Sequence, residues 1–152
     1  MTPAQIVGWI ALALACAAAA WRGGRPERLG ALLLAAAWVV TPLVELRSSW
    51  RQPQIGILGV DIVTLAALAW LAMRYDRTWP ICAAGFQAIA VLTHLAFLVN
   101  PQALWRAYLV GNFAIGFLLL GAVVGGVVME GRAPSLRRRP LWPPRSAWRS
   151  SP

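Results

Sequence analysis

Lysine is missing from this chain of 152 residues, acidic residues number five, histidine occurs once and cysteine twice. All 14 basic residues are therefore arginine, and a charged share of 12% is too small to clothe a soluble domain in solvated side chains. A water-soluble enzyme is excluded on that ground. A lone histidine rules out a two-histidine haem site within the chain. Cys16 and Cys82 sit in apolar runs without C-x-x-C spacing, so neither a disulfide framework nor a zinc site is expected. No serine falls inside the long apolar runs, and phosphate-binding glycine loops, H-E-x-x-H and paired metal carboxylates are lacking. The sequence predicts no catalytic centre and no metal.

What is present is apolar length. Hydrophobic residues make up 59% of the chain and its mean hydropathy is +0.62, which disfavours a solvated disordered coil as firmly as a soluble fold. Five runs qualify as membrane spans, over residues 5–21, 29–46, 54–73, 79–99 and 107–129. A helix needs about 20 residues to cross roughly 30 Å of hydrocarbon, so the first two runs are near the lower limit. Alternation of polar and apolar residues is missing, and Ala and Leu outweigh the β-branched types, which excludes strands. The expected fold is all-α: a polytopic bundle of five transmembrane helices over residues 1–130, followed by a basic tail over 131–152. The first run has no arginine before it and three soon after, the flank order of a retained anchor and not of a cleaved signal.

The connectors over 22–28, 47–53, 74–78 and 100–106 are short, so consecutive helices should be antiparallel neighbours. Counted on alternate sides, the first and third connectors and the tail carry eleven arginines, against Arg47, Arg51 and Arg106 on the other side. This asymmetry predicts a bacterial inner-membrane protein with a periplasmic N-terminus and a cytoplasmic tail. Trp21 and Trp79 at one boundary, and Trp50 and Trp105 at the other, fit interfacial aromatic belts. The isoelectric point near 11.6 is explained by anionic headgroups, since the arginines do not form the single stripe that nucleic acid would need. Lipids and other integral membrane subunits are the expected partners, with no nucleic acid.

Polar residues inside the spans stand out, because an ionisable group at depth costs several kcal/mol unless it finds a partner. Asp61, His94 and Asn112, on three different helices, share a level roughly 8 to 10 Å below the same boundary. Glu45 lies slightly above that level, and Gln87 shares a helix face with His94. These five form the expected intramembrane cluster. Its two uses are to fasten the bundle by mutual hydrogen bonds or to carry protons or ions through Asp61 and His94. Because the runs below Gln87 are almost purely Ala, Leu, Val and Gly, the fastening role is preferred. Thr41-Pro42 predicts a kink whose freed carbonyl the threonine could serve. Gly121 and Gly125 form a G-x-x-x-G suited either to internal helix packing or to docking against a partner. Arg137, Arg138, Arg139 and Trp142 in the tail suit adhesion to an anionic leaflet or a partner protein.

Two resemblances add to this reading. Ala90, His94 and Leu98, four residues apart, resemble the pigment-binding helix of bacterial light-harvesting polypeptides, which implies His94 as ligand to a chlorophyll-type pigment or haem. The stretch from Asp61 through Arg74, Arg77, Trp79-Pro80 and Phe86-Gln87 to Thr93-His94-Leu95-Ala96 resembles small inner-membrane proteins of GC-rich Alphaproteobacteria. That second likeness implies inner-membrane placement and brings no activity. The function expected from the sequence is a non-catalytic accessory or scaffolding subunit of a larger membrane complex, without a cofactor of its own. A small oligomeric channel or proton-coupled transporter is the alternative.

Overall fold

A computed structural model describes residues 3–45, 55–99 and 101–129. Five helices account for almost all of these: α1 (Pro3–Arg22), α2 (Arg25–Glu45), α3 (Ile55–Arg74), α4 (Trp79–Val99) and α5 (Pro101–Met129). Each contains a stretch long and apolar enough to cross a membrane, and no strand occurs among the described residues. The protein is a polytopic all-α membrane protein. Helix is the form that lets such apolar runs satisfy every backbone group internally.

The helix ends depart from the hydropathy boundaries in two instructive places. α2 starts at Arg25, so Pro26 and Glu27 belong to its first turn and not to the connector. Proline near a helix start costs no hydrogen bond, and an acid there faces the positive end of the helix dipole. α5 starts at Pro101 and runs for 29 residues, roughly 43 Å by helical rise, longer than the hydrocarbon it has to cross. Hydropathy found only its apolar part. The tail, with Arg137, Arg138, Arg139 and Trp142, lies outside the described residues, as do Trp50 and the side chain of Trp105.

The helices form a ring in chain order, α1 beside α2, α2 beside α3, α3 beside α4 and α4 beside α5, closed by α5 against α1. α2 also touches α5 across the middle. The centre is filled by small and branched side chains, among them Ala19, Leu34, Leu68, Ala83 and Val123. Only 17% to 33% of each span is buried inside the bundle, so most of its apolar surface is left for lipid or protein neighbours.

Tight contacts fall at two tryptophans. Trp79 is 4% exposed, so its ring faces into the bundle and not the headgroups expected of an interfacial belt, whereas Trp21 at 86% faces outward. The Trp79 indole lies against both Gly30 of α2 and Gly126 of α5, where a β-carbon would overlap its ring atoms. Trp38 is met edge-on by Trp9, with ring centroids 5.9 Å apart, and a β-carbon at Gly8 would come within 2.8 Å of it. Gly121 and Gly125 do not serve internal packing. A β-carbon at either would meet nothing within 4 Å, so the close helix approach on α5 belongs to Gly126, next along the chain.

Candidate functional site

Asp61 lies six residues into α3, and its side chain turns toward α4. There its Oδ2 is 2.8 Å from Nε2 of His94. Gln87, seven residues before His94 on the same face of α4, donates from Nε2 to Asp61 Oδ1 at 2.8 Å and to the Asp61 carbonyl at 3.3 Å. α5 completes the group: Tyr108 OH is 3.1 Å from His94 Nδ1, and Asn112 Nδ2 is 3.5 Å from His94 Nε2. Phe97 stacks on the Tyr108 ring at 4.6 Å between centroids. His94 and Gln87 are 3% and 2% exposed, whereas the Asp61 side chain keeps 21%.

With His94 neutral, one tautomer satisfies these contacts. Neutral His94 carries its proton on Nε2 and donates to the Asp61 carboxylate, while Nδ1 accepts from the Tyr108 hydroxyl. With Nε2 protonated, the amide oxygen of Asn112 is the end that can accept there, so its amide fits best turned by half a rotation. The result is a chain from Tyr108 through His94 and Asp61 to Gln87 that ties α5, α4 and α3 together. Intramembrane hydrogen bonds of this kind contribute about 0.6 to 2 kcal/mol each. Both ring nitrogens are occupied, so a haem or chlorophyll-type metal at Nε2 would first have to displace the Asp61 carboxylate.

Four of the five cluster residues expected from sequence thus meet: Asp61, Gln87, His94 and Asn112. Glu45 ends α2, and its side chain lies outside the described residues. Tyr108 went unnoticed, although it sits one turn before Asn112 and so shares its face. The neighbouring threonines turn to their own helices: Thr41 donates to Ala37 O, Thr64 to Val60 O and Thr93 to Ile89 O, each at 2.8 Å. The carbonyl that Pro42 deprives of its usual donor is that of Trp38, so Thr41 does not serve it.

The cluster faces a cavity of about 300 Å³ between α2, α3, α4 and α5. Its polar wall is Thr41, Asp61, His94, Tyr108 and Asn112, and its apolar wall includes Leu34, Trp38, Phe113, Ile115 and Leu119. Among the described residues no group of three His, Cys, Asp or Glu side chains could hold a metal ion.

A second buried polar pair sits at the opposite end of the bundle. Glu27 is fully buried and accepts from Trp79 Nε1 at 3.1 Å, with its other oxygen unpartnered among the described residues. Fifteen residues of α4 separate Trp79 from His94, roughly 22 Å of helix. Hydropathy placed Glu27 in a connector, so nothing in the sequence marked it as buried.

No family model matches the chain, and no solved structure matches it. Over 91 residues it is 30% identical to a UPF0324 membrane protein of Rhodopirellula baltica, a match that takes in 60% of this chain. The chain spans 16% of that relative's length. The likeness supports a membrane protein and lends nothing to the Alphaproteobacterial resemblance.

Proposed function

We propose that this chain is a non-catalytic accessory or scaffolding subunit of a larger inner-membrane complex of the photosynthetic or respiratory kind. The observation that carries the reading is the confinement of the Tyr108–His94–Asp61–Gln87 hydrogen-bond chain to one end of the bundle. Between it and the Glu27–Trp79 pair the interior is apolar, with Leu68, Leu71, Ala83, Leu120 and Val123 buried in the gap. A subunit that fixes helix register needs such a cluster and no conduit. The large apolar surface outside the bundle is then the contact area for neighbouring subunits. In this reading the N-terminus is periplasmic and the tail adheres to the cytoplasmic leaflet through Arg137, Arg138, Arg139 and Trp142. Purification from native membranes in mild detergent is expected to retain stoichiometric partner subunits, and recovery as a lone homo-oligomer would overturn it.

The contact of buried His94 with Asp61 beside a cavity favours a second reading, a small channel or proton-coupled transporter in which these two groups exchange a proton. It requires proton or ion flux in reconstituted vesicles that Asp61→Asn abolishes. Flux unchanged by that substitution removes it. A pigment or haem at His94 requires a visible absorbance that disappears in His94→Ala, and a colourless purified protein ends that idea.

A further inference from the structure

We propose that the cavity between α2, α3, α4 and α5 binds a neutral, lipid-soluble hydroxy-aromatic molecule of the phenol or quinol class, its hydroxyl donating to Asp61. The inference does not depend on the accessory-subunit reading, since it concerns only what fits this space. The argument starts from capacity. About 300 Å³ is the lower end of small-ligand sites, enough for one substituted aromatic ring and too little for a folded peptide or a whole phospholipid.

The hydrogen-bonding inventory then selects the head of the ligand. A carboxylate offers about four lone-pair positions, and Asp61 uses one on each oxygen, toward Gln87 and His94. Its carboxylate is also the least buried member of the group, so the remaining positions are the accessible ones. Thr41 spends its proton on Ala37 O and presents only acceptor capacity to the cavity. The unspent wall thus sets acceptors on Asp61 and Thr41 beside the amide N–H donors of Asn112, and the complementary head is a hydroxyl, which donates to the first and can accept from the last. An anion is repelled by Asp61, and a cation has to shed its hydration at depth, at a cost of several kcal/mol. A neutral hydroxyl avoids both penalties. The rest of the lining, Trp38 and Phe113 with Leu34, Ile115 and Leu119, suits an aromatic body, which prefers edge-on or offset contact with such rings. A molecule of this class dissolves in the bilayer first, so it reaches the cavity without crossing water.

The test uses the full-length chain in phosphatidylcholine nanodiscs and equilibrium dialysis, with empty nanodiscs as the blank. The probe is 1-naphthol; naphthalene lacks the hydroxyl and 1-naphthylmethylamine replaces it with an ammonium. One saturable site per chain is expected, with naphthol bound about tenfold tighter than either comparator, the worth of one buried hydrogen bond. Asp61→Asn is expected to reduce that preference severalfold, and Gly116→Leu, which fills the space beside Trp38, to abolish binding of naphthol and naphthalene alike. Circular-dichroism melting establishes that each variant is folded. If Asp61→Asn does not fold, the naphthol-to-naphthalene ratio on the unsubstituted chain and the Gly116→Leu result decide. Equal affinity for naphthol and naphthalene, tighter binding of the amine, or no binding above empty nanodiscs each overturns the proposal.

Discussion

Removing the His94 imidazole takes away the partner of Asp61 Oδ2, the partner of the Tyr108 hydroxyl and the volume between α3 and α5. Breaking a buried pair from one side costs about 3 to 5 kcal/mol, and the 21% exposure of the Asp61 side chain left behind puts this case at the lower end. His94→Ala is therefore expected to lower unfolding free energy by about that amount in mixed-micelle denaturant titrations. Gln87→Leu, which removes one neutral donor, should cost only about 0.5 to 2 kcal/mol. A double-mutant cycle between Asp61→Asn and His94→Gln should return a coupling above about 0.5 kcal/mol, and strict additivity would show that the 2.8 Å contact contributes nothing. At this scale the sequence was informative for residues that are expensive in lipid. Asp61, His94 and Asn112 could be placed at one depth by helical rise alone. Tyr108 could not, because a tyrosine near a helix end is equally at home among headgroups and carries no penalty that demands a partner.

Trp79 joins three helices at the other end of the bundle, filling the gap between Gly30 and Gly126 while its N–H engages Glu27. Because a β-carbon at Gly126 would overlap the indole ring itself, which cannot bend away, Gly126→Leu must push α5 off α4. Overpacking of this kind costs about 1 to 3 kcal/mol. Gly125→Ala, one residue earlier and facing open space, should stay within about 0.5 kcal/mol of the parent. Parallel melting of the two variants checks the contrast, and equal losses would mean that Gly126 is not the close-approach site. Trp79→Phe should preserve the ring contact and remove the donor to Glu27, for a loss of about 1 to 3 kcal/mol. Helix existence followed directly from apolar length, and the boundaries of α4 came out unchanged. The ends of α2 and α5 did not, since Pro26-Glu27 and Pro101 extend their helices past the apolar stretch and hydropathy reads only solvation. Which glycine of Gly121, Gly125 and Gly126 meets a neighbour depends on how α5 is rotated, a tertiary quantity that a G-x-x-x-G spacing does not contain.

For the molecule as a whole, five crossings would put the two chain ends on opposite faces of the bilayer, and the arginines would decide which face is which. Eleven of them fall on the side of the first and third connectors and the tail, three on the other. Translocating a loop with arginines beside a span is the disfavoured event, so the richer side should remain in the cytoplasm. The same orientation puts the Glu27–Trp79 pair toward the cytoplasm and the Asp61–His94 cavity toward the periplasm. Single-cysteine labelling resolves it. In a Cys16→Ala, Cys82→Ala background, Ser48→Cys in the second connector should react with a membrane-impermeant maleimide in intact cells. Asp76→Cys, exposed between α3 and α4, should react only after the membrane is opened. The reverse pattern would invert the protein and move the cavity to the cytoplasmic leaflet. Labelling of both positions in intact cells would mean that α3 does not cross at all, and the Asp61–His94 pairing across α3 and α4 would then need a different explanation.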